Sequence, residues 1–93
     1  MTLQDKNINA QDELATNQLL PRGQTANLGA GVVPGQLQII GVGAHYTISI
    51  NGGPAIANVI APGTVDTYPI NGQSVSVSNT TPVAGPPNMT LSW

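Results

Sequence analysis

His45 is the only imidazole in the chain, and Asp66 is the only carboxylate after residue 22. A metal centre or a general acid–base pair needs at least one partner for such a group. The run Gly43-Ala44-His45-Tyr46-Thr47 supplies none, so His45 reads as a strand-start histidine beside a turn. The paired carboxylates of glycoside hydrolysis would require Asp66 to meet Asp12 or Glu13 from a distant segment. A solvated or turn-bonded Asp66 fits the sequence better. Serines are plentiful, but no G-x-S-x-G elbow occurs, and Ser74, Ser76 and Ser78 alternate with valines as outward strand residues do. Gly29-Ala30-Gly31 and Gly41-Val42-Gly43 lack the lysine and the following helix of a phosphate loop, and read as strand ends or bulges. Asn79-Thr80-Thr81 and Asn88-Met89-Thr90 match the glycosylation acceptor, a pattern that also arises by chance. With no cysteine, thiolate chemistry and disulfides are excluded. These residues predict a non-catalytic protein with no cofactor and no bound metal.

Charge is distributed unevenly. Asp5, Lys6, Asp12, Glu13 and Arg22 lie in the first 22 positions, and the other 71 residues carry Asp66 alone. Nucleic acid is excluded as a partner, because phosphate binding needs clustered Lys and Arg. Here the formal charge is -2, and Lys6 and Arg22 are the only cations. The N-terminus, MTLQDKNINAQDE, has no basic stretch followed by an apolar run, so no signal peptide is expected. No 18-residue apolar stretch occurs, so no membrane span is expected either.

The elements that would position these residues change character at Pro21-Arg22-Gly23. Residues 1-22 hold no glycine and most of the charge, whereas residues 23-93 hold all 11 glycines and seven of the eight prolines. The division predicts an N-terminal arm over 1-22 and a β-body over 23-93. In the arm, Asn9 could cap a short helix across Ala10 to Leu20, with Asp12 and Glu13 in its first turn and Pro21 as its stop. An 11-residue helix is marginal alone, so the arm, a short helix or extended, is either a docking element or a disordered tail.

In the body, Tyr46, Ile48 and Ile50 alternate with Thr47 and Ser49, and Val75 and Val77 alternate with serines. Asn51-Gly52 and Asn71-Gly72 follow Ile50 and Ile70, and Asn-Gly suits a type I′ turn. Hairpins are therefore expected over 44-60 and 64-79, with further strands near 25-32, 36-43 and 87-93. About seven short strands predict an all-β sandwich or barrel of immunoglobulin-like or jelly-roll character. Pro69 cannot donate to a ladder, which places its strand at an edge.

A domain of 93 residues buries a modest share of its surface, which favours association of subunits. Tyr68 and Trp93, two of only three large rings, are the candidates for an oligomer interface. The layout as a whole resembles the small decoration, or cement, proteins of tailed bacteriophages: a short chain without cysteine, an arm over 1-22, and a body rich in Gly, Pro, Ser and Thr over 23-93. That resemblance implies a virion protein on the outer capsid surface, commonly a homotrimer, that binds the major capsid protein and stabilises the shell. It points to Leu3, Ile8, Leu14, Leu19, Leu20 and Arg22 as contacts with the capsid or another virion partner. A carbohydrate- or receptor-binding β-module of a phage fibre or tail is the alternative. Its hydroxyl- and amide-rich surface suits sugars, and its shortage of rings does not.

Overall fold

Alternating side chains and backbone pairing sort the described residues, 17–83 and 88–93 of the computed structural model, into eight strands. They are β1 (Asn17–Pro21), β2 (Thr25–Leu28), β3 (Gln36–Ile40), β4 (His45–Ile50), β5 (Ile56–Val59), β6 (Asp66–Pro69), β7 (Val75–Asn79) and β8 (Asn88–Ser92). Every ladder is antiparallel, and the strands form two four-stranded sheets, ordered β1-β8-β3-β6 and β2-β7-β4-β5.

The pairing follows a simple rule: β1 pairs with β8, β2 with β7, β3 with β6 and β4 with β5. Such a chain is one long hairpin rolled up so that successive pairs fall in alternate sheets, with β3–β8 and β4–β7 ladders knitting the pairs together. That is the jelly-roll arrangement. An immunoglobulin-like sandwich instead pairs consecutive strands repeatedly within each sheet, whereas here β4 and β5 are the only consecutive neighbours. The all-β sandwich expected from the alternation is what the chain forms.

Inward-facing positions supply the core. Leu20, Leu37, Ile39, Met89 and Leu91 come from the first sheet, and Ala26, Leu28, Tyr46, Ile48, Val75 and Val77 from the second. Val33, Ala44, Ile60 and Ile70, in the connections, are also fully buried. Gly41 sits where β3 turns away beside β8. A Cβ there would lie 2.9 Å from the Met89 Cβ and 3.3 Å from the Met89 Cα, so the close approach requires glycine.

The two Asn-Gly pairs behave differently. Asn51 and Gly52 have φ of 54° and 72°, and the Gly53 N–H donates to the Ile50 carbonyl at 2.9 Å. This is the expected type I′ turn, and β4 and β5 form the expected hairpin over 44-60. The hairpin expected over 64-79 does not form. β6 pairs with β3 in one sheet, while β7 pairs with β2 and β4 in the other. Asn71-Gly72 is a corner between sheets, tied to the β2–β3 connection by the bonds Gly72 N–H to Val33 O (2.9 Å) and Gly31 N–H to Gly72 O (2.8 Å). Ile70, buried between the sheets, makes that crossing favourable in a way a local hairpin would not.

The segment expected to be helical ends differently as well. Asn17–Leu20 belong to strand β1, in register with Leu91 and Ser92 at one end and Met89 at the other. Pairing with β8 gives the backbone partners along an existing edge, and alternation buries Leu20 while turning Leu19 outward. Residues 10–16 of the proposed helix lie outside the described residues.

Candidate functional site

Tyr46, Asn58, Asp66 and Tyr68 converge on the side of the sandwich where β5 and β6 are the open edges. Tyr46 points inward from β4, and Asn58 faces it across the β4–β5 ladder. Asp66 and Tyr68, two residues apart on β6, point inward from the other sheet opposite Ile39 and Leu37. The Tyr46 hydroxyl donates to Asp66 Oδ2 at 2.5 Å, and the Tyr68 hydroxyl lies 2.5 Å from the Tyr46 oxygen. Since the single Tyr46 hydrogen goes to the carboxylate, Tyr68 is the donor in the second bond. Asn58 Nδ2 donates to Tyr46 Oη and to Asp66 Oδ2, each at 3.3 Å. The rings of Tyr46 and Tyr68 meet edge-on, with centroids 6.4 Å apart. Burial, foremost, together with the bonds to Asp66 and Tyr68, pushes the Tyr46 hydroxyl far above its ordinary range. The Tyr46 hydroxyl thus keeps its proton, and the cluster ties the two sheets together.

Strand β5 is exposed along its whole length. The bond from Ile60 N–H to Ala44 O, 2.9 Å, sets the ladder phase, so residues 56 and 58 turn their backbone groups to β4 while Ala57 and Val59 turn theirs to the open edge. The Val59 N–H is occupied by the Asn58 side-chain carbonyl at 2.9 Å, which blunts that edge.

A second polar node sits at the end of β7. Asn79 is 2% exposed. Its Oδ1 accepts from the Thr81 N–H (3.0 Å) and hydroxyl (2.6 Å), and its Nδ2 donates to the Leu20 carbonyl at 2.8 Å. Asn79 is therefore committed inside the fold and is closed to glycosylation in the folded state. Asn88, of the other acceptor pattern, is exposed.

His45 and Asp66 are not brought together. Strand alternation turns His45 to the outer face of its sheet, in register with Val59, while Asp66 faces the interior. Among the described residues no three His, Cys, Asp or Glu side chains gather in a way that could hold a metal ion, and no helix is long and apolar enough to cross a membrane.

The outer faces are polar but uncharged. On the first sheet, Asn17, Leu19, Pro21, Gln36, Gln38 and Ile40 point outward beside Thr67, Pro69, Asn88, Thr90 and Ser92. Leu19, Thr90 and Ile40 lie in one cross-strand row, and Val65, just before β6, continues that register beyond Ile40. Leu19 is 58% exposed and Val65 45%, and Val42 in the adjoining turn is also exposed.

The outer face of the second sheet carries hydroxyls and amides in rows, Thr25–Ser78–Thr47 and Asn27–Ser76–Ser49. Thr25 Oγ1 and Ser78 Oγ are 2.8 Å apart. At one end of this face a groove of about 270 Å³ opens between the Asn51-Gly52 turn and the end of β2.

The residues expected to meet partners are scattered over this framework. Leu3, Ile8 and Leu14 lie outside the described residues. Leu19 is on the apolar row, whereas Leu20 is a core residue with 2% exposure, so its surface is spent inside the sandwich. Arg22 is half-buried in the β1–β2 turn. Tyr68 and Trp93 are half-buried and packed against the core. Nothing in the residue spacing signals the Tyr46 cluster, because its members meet only through registers in two different sheets. Comparison with protein-family models, with curated proteins and with solved structures finds no match to this chain.

Proposed function

We propose that this chain is a non-catalytic structural protein of a virion, a decoration module that lies on the outer surface of a capsid and stabilises the shell. Residues 1–16, which carry Leu3, Ile8 and Leu14, reach neighbouring subunits. The observation that carries the reading is the outer face of the β1-β8-β3-β6 sheet, which bears no charged side chain and presents the apolar row Leu19, Ile40 and Val65.

A face of this kind attaches through fitted contact area, since it has no charge to steer an encounter. Its partner is the neutral, apolar surface of the major capsid protein. Contact through so few aliphatic side chains is weak per copy. Association of the module as a homo-oligomer, a trimer in this reading, links the contacts and raises their effective concentration without new ones. The jelly roll is shared by viral shell proteins and lectins, and it supports the reading only as analogy.

The test begins with the source material. Its lysate is fractionated on a density gradient and the chain located by mass spectrometry. Migration with particles at many copies each is expected, and a chain left at the top of the gradient sinks the proposal. The double variant Leu19→Asp/Ile40→Asp, which changes only outward positions, should fold normally and lose co-sedimentation with undecorated shells. Unchanged occupancy by that variant would remove the apolar row from the attachment surface.

A further inference from the structure

We infer that the groove on the outer face of the β2-β7-β4 strands is a binding site for a neutral sugar, a single pyranose unit either free or at the end of a glycan. Its polar wall is Asn27, Ser49, Ser74 and Ser76, Leu28 and Val75 border it with side chains that turn into the core, and Gly29 and Gly52 form lips that no side chain closes. The hydrogen bonds already made inside the protein decide what the wall can offer. Ser76 Oγ donates to Asn27 Oδ1 at 3.0 Å, and Ser49 Oγ donates to the Gly53 carbonyl at 2.6 Å. Both serine protons are thereby committed, so the two oxygens face the groove as acceptors. The bond from Ser76 also fixes the Asn27 amide, leaving Nδ2 as the donor. The Ser74 hydroxyl can serve as either.

The wall itself is held in place from behind, because the Asn51 N–H donates to the Ser74 carbonyl at 2.7 Å and couples the type I′ turn to β7. Fixed acceptors beside fixed donors match neighbouring hydroxyls, each of which both donates and accepts. No lining residue is charged, so nothing offsets the desolvation of a carboxylate or an ammonium group. A volume of about 270 Å³ admits one ring and lies at the small end of ligand sites. Tyr68 and Trp93 take no part in the groove, so binding is of the weak kind that lacks a stacking platform. The site stands whether or not the module coats a shell.

The experiment is an amide-resolved NMR titration of the full chain with glucose, galactose, mannose, N-acetylglucosamine and their methyl glycosides, and with N-acetylneuraminic acid as the anionic probe. Saturable shifts confined to residues 27–29, 49–53 and 74–76 are expected with at least one neutral sugar, and none with the acid. A methyl glycoside that binds as well as its parent marks a chain-end unit, and binding of the parent alone marks a free monosaccharide. Asn27→Ala and Ser76→Ala should each weaken binding about tenfold or more, with Ser49→Ala as a second variant if either spectrum shows loss of fold. Absence of saturable shifts with every neutral sugar, saturation mapped elsewhere, binding of the acid at the groove, or undiminished affinity in folded variants would each overturn the inference.

Discussion

At the scale of single residues, the sandwich is sensitive where a side chain or its absence has no substitute. Tyr46 is fully buried and gives its one hydrogen to Asp66. Tyr46→Phe should cost about 1–2 kcal/mol in urea unfolding at neutral pH, because Asp66 loses a donor inside a cluster that joins two sheets. The fold holds the Tyr46 proton well above the ordinary value of about 10. The native state therefore binds more protons than the unfolded one once pH passes that value. The Tyr46 contribution is complete below about pH 10 and declines as pH rises through the unfolded value toward the folded one. Wild-type stability should fall above about pH 10, and the Phe variant should show a shallower fall over the same range; equal slopes would place the alkaline sensitivity elsewhere. Gly41→Ala should cost about 1–3 kcal/mol by thermal or urea unfolding, since the new methyl collides with the side chain and backbone of Met89.

At the scale of elements, β5 offers a test of which backbone groups face the open edge. Ala57→Pro removes an N–H that pairs with nothing in the sheet, whereas Asn58→Pro removes one that faces β4 together with a side chain of the Tyr46 cluster. The Ala57 variant should lose less than half the stability lost by the Asn58 variant, measured side by side in urea. The strands themselves were legible where alternation was clean, as in His45–Ile50 and Val75–Asn79, and where an Asn-Gly pair had room to close a hairpin, as at Asn51-Gly52. Asn71-Gly72 has the same chemistry, yet nothing local states that the next strand belongs to the other sheet. Topology of that kind is decided by where Ile70 can be buried. β1 was hidden for a related reason: Ala15 and Leu19 share a helical face with Leu14 and Leu20 near its edges, and only the unpaired edge of β8 makes extension the better choice for Asn17–Pro21. Within the groove, Asn27, Ser49 and Ser76 come from three strands, so their proximity could not be read from spacing along the chain.

At the scale of the whole molecule, the rolled hairpin makes the division between arm and body fall inside the segment that composition assigned to the arm. Removing residues 1–16 should leave a cooperatively unfolding sandwich with little change in melting temperature. Removing residues 1–21 takes away β1, deletes Leu20 from the core and uncovers the edge of β8 beside Met89 and Leu91. That shorter chain should aggregate or melt without a sharp transition in a thermal scan followed by circular dichroism. Matching melts for the two truncations would show that β1 contributes no stability. The pairing of Asn17 with Ser92 also sets how the module answers mechanical load. A tug between those two positions pulls an antiparallel pair apart from its end, so the ladder opens one bond after another instead of resisting as a block. Tension is best carried along directions that leave this seam unloaded, and a passenger fused after Trp93 would emerge beside the start of β1, at the seam's weak end.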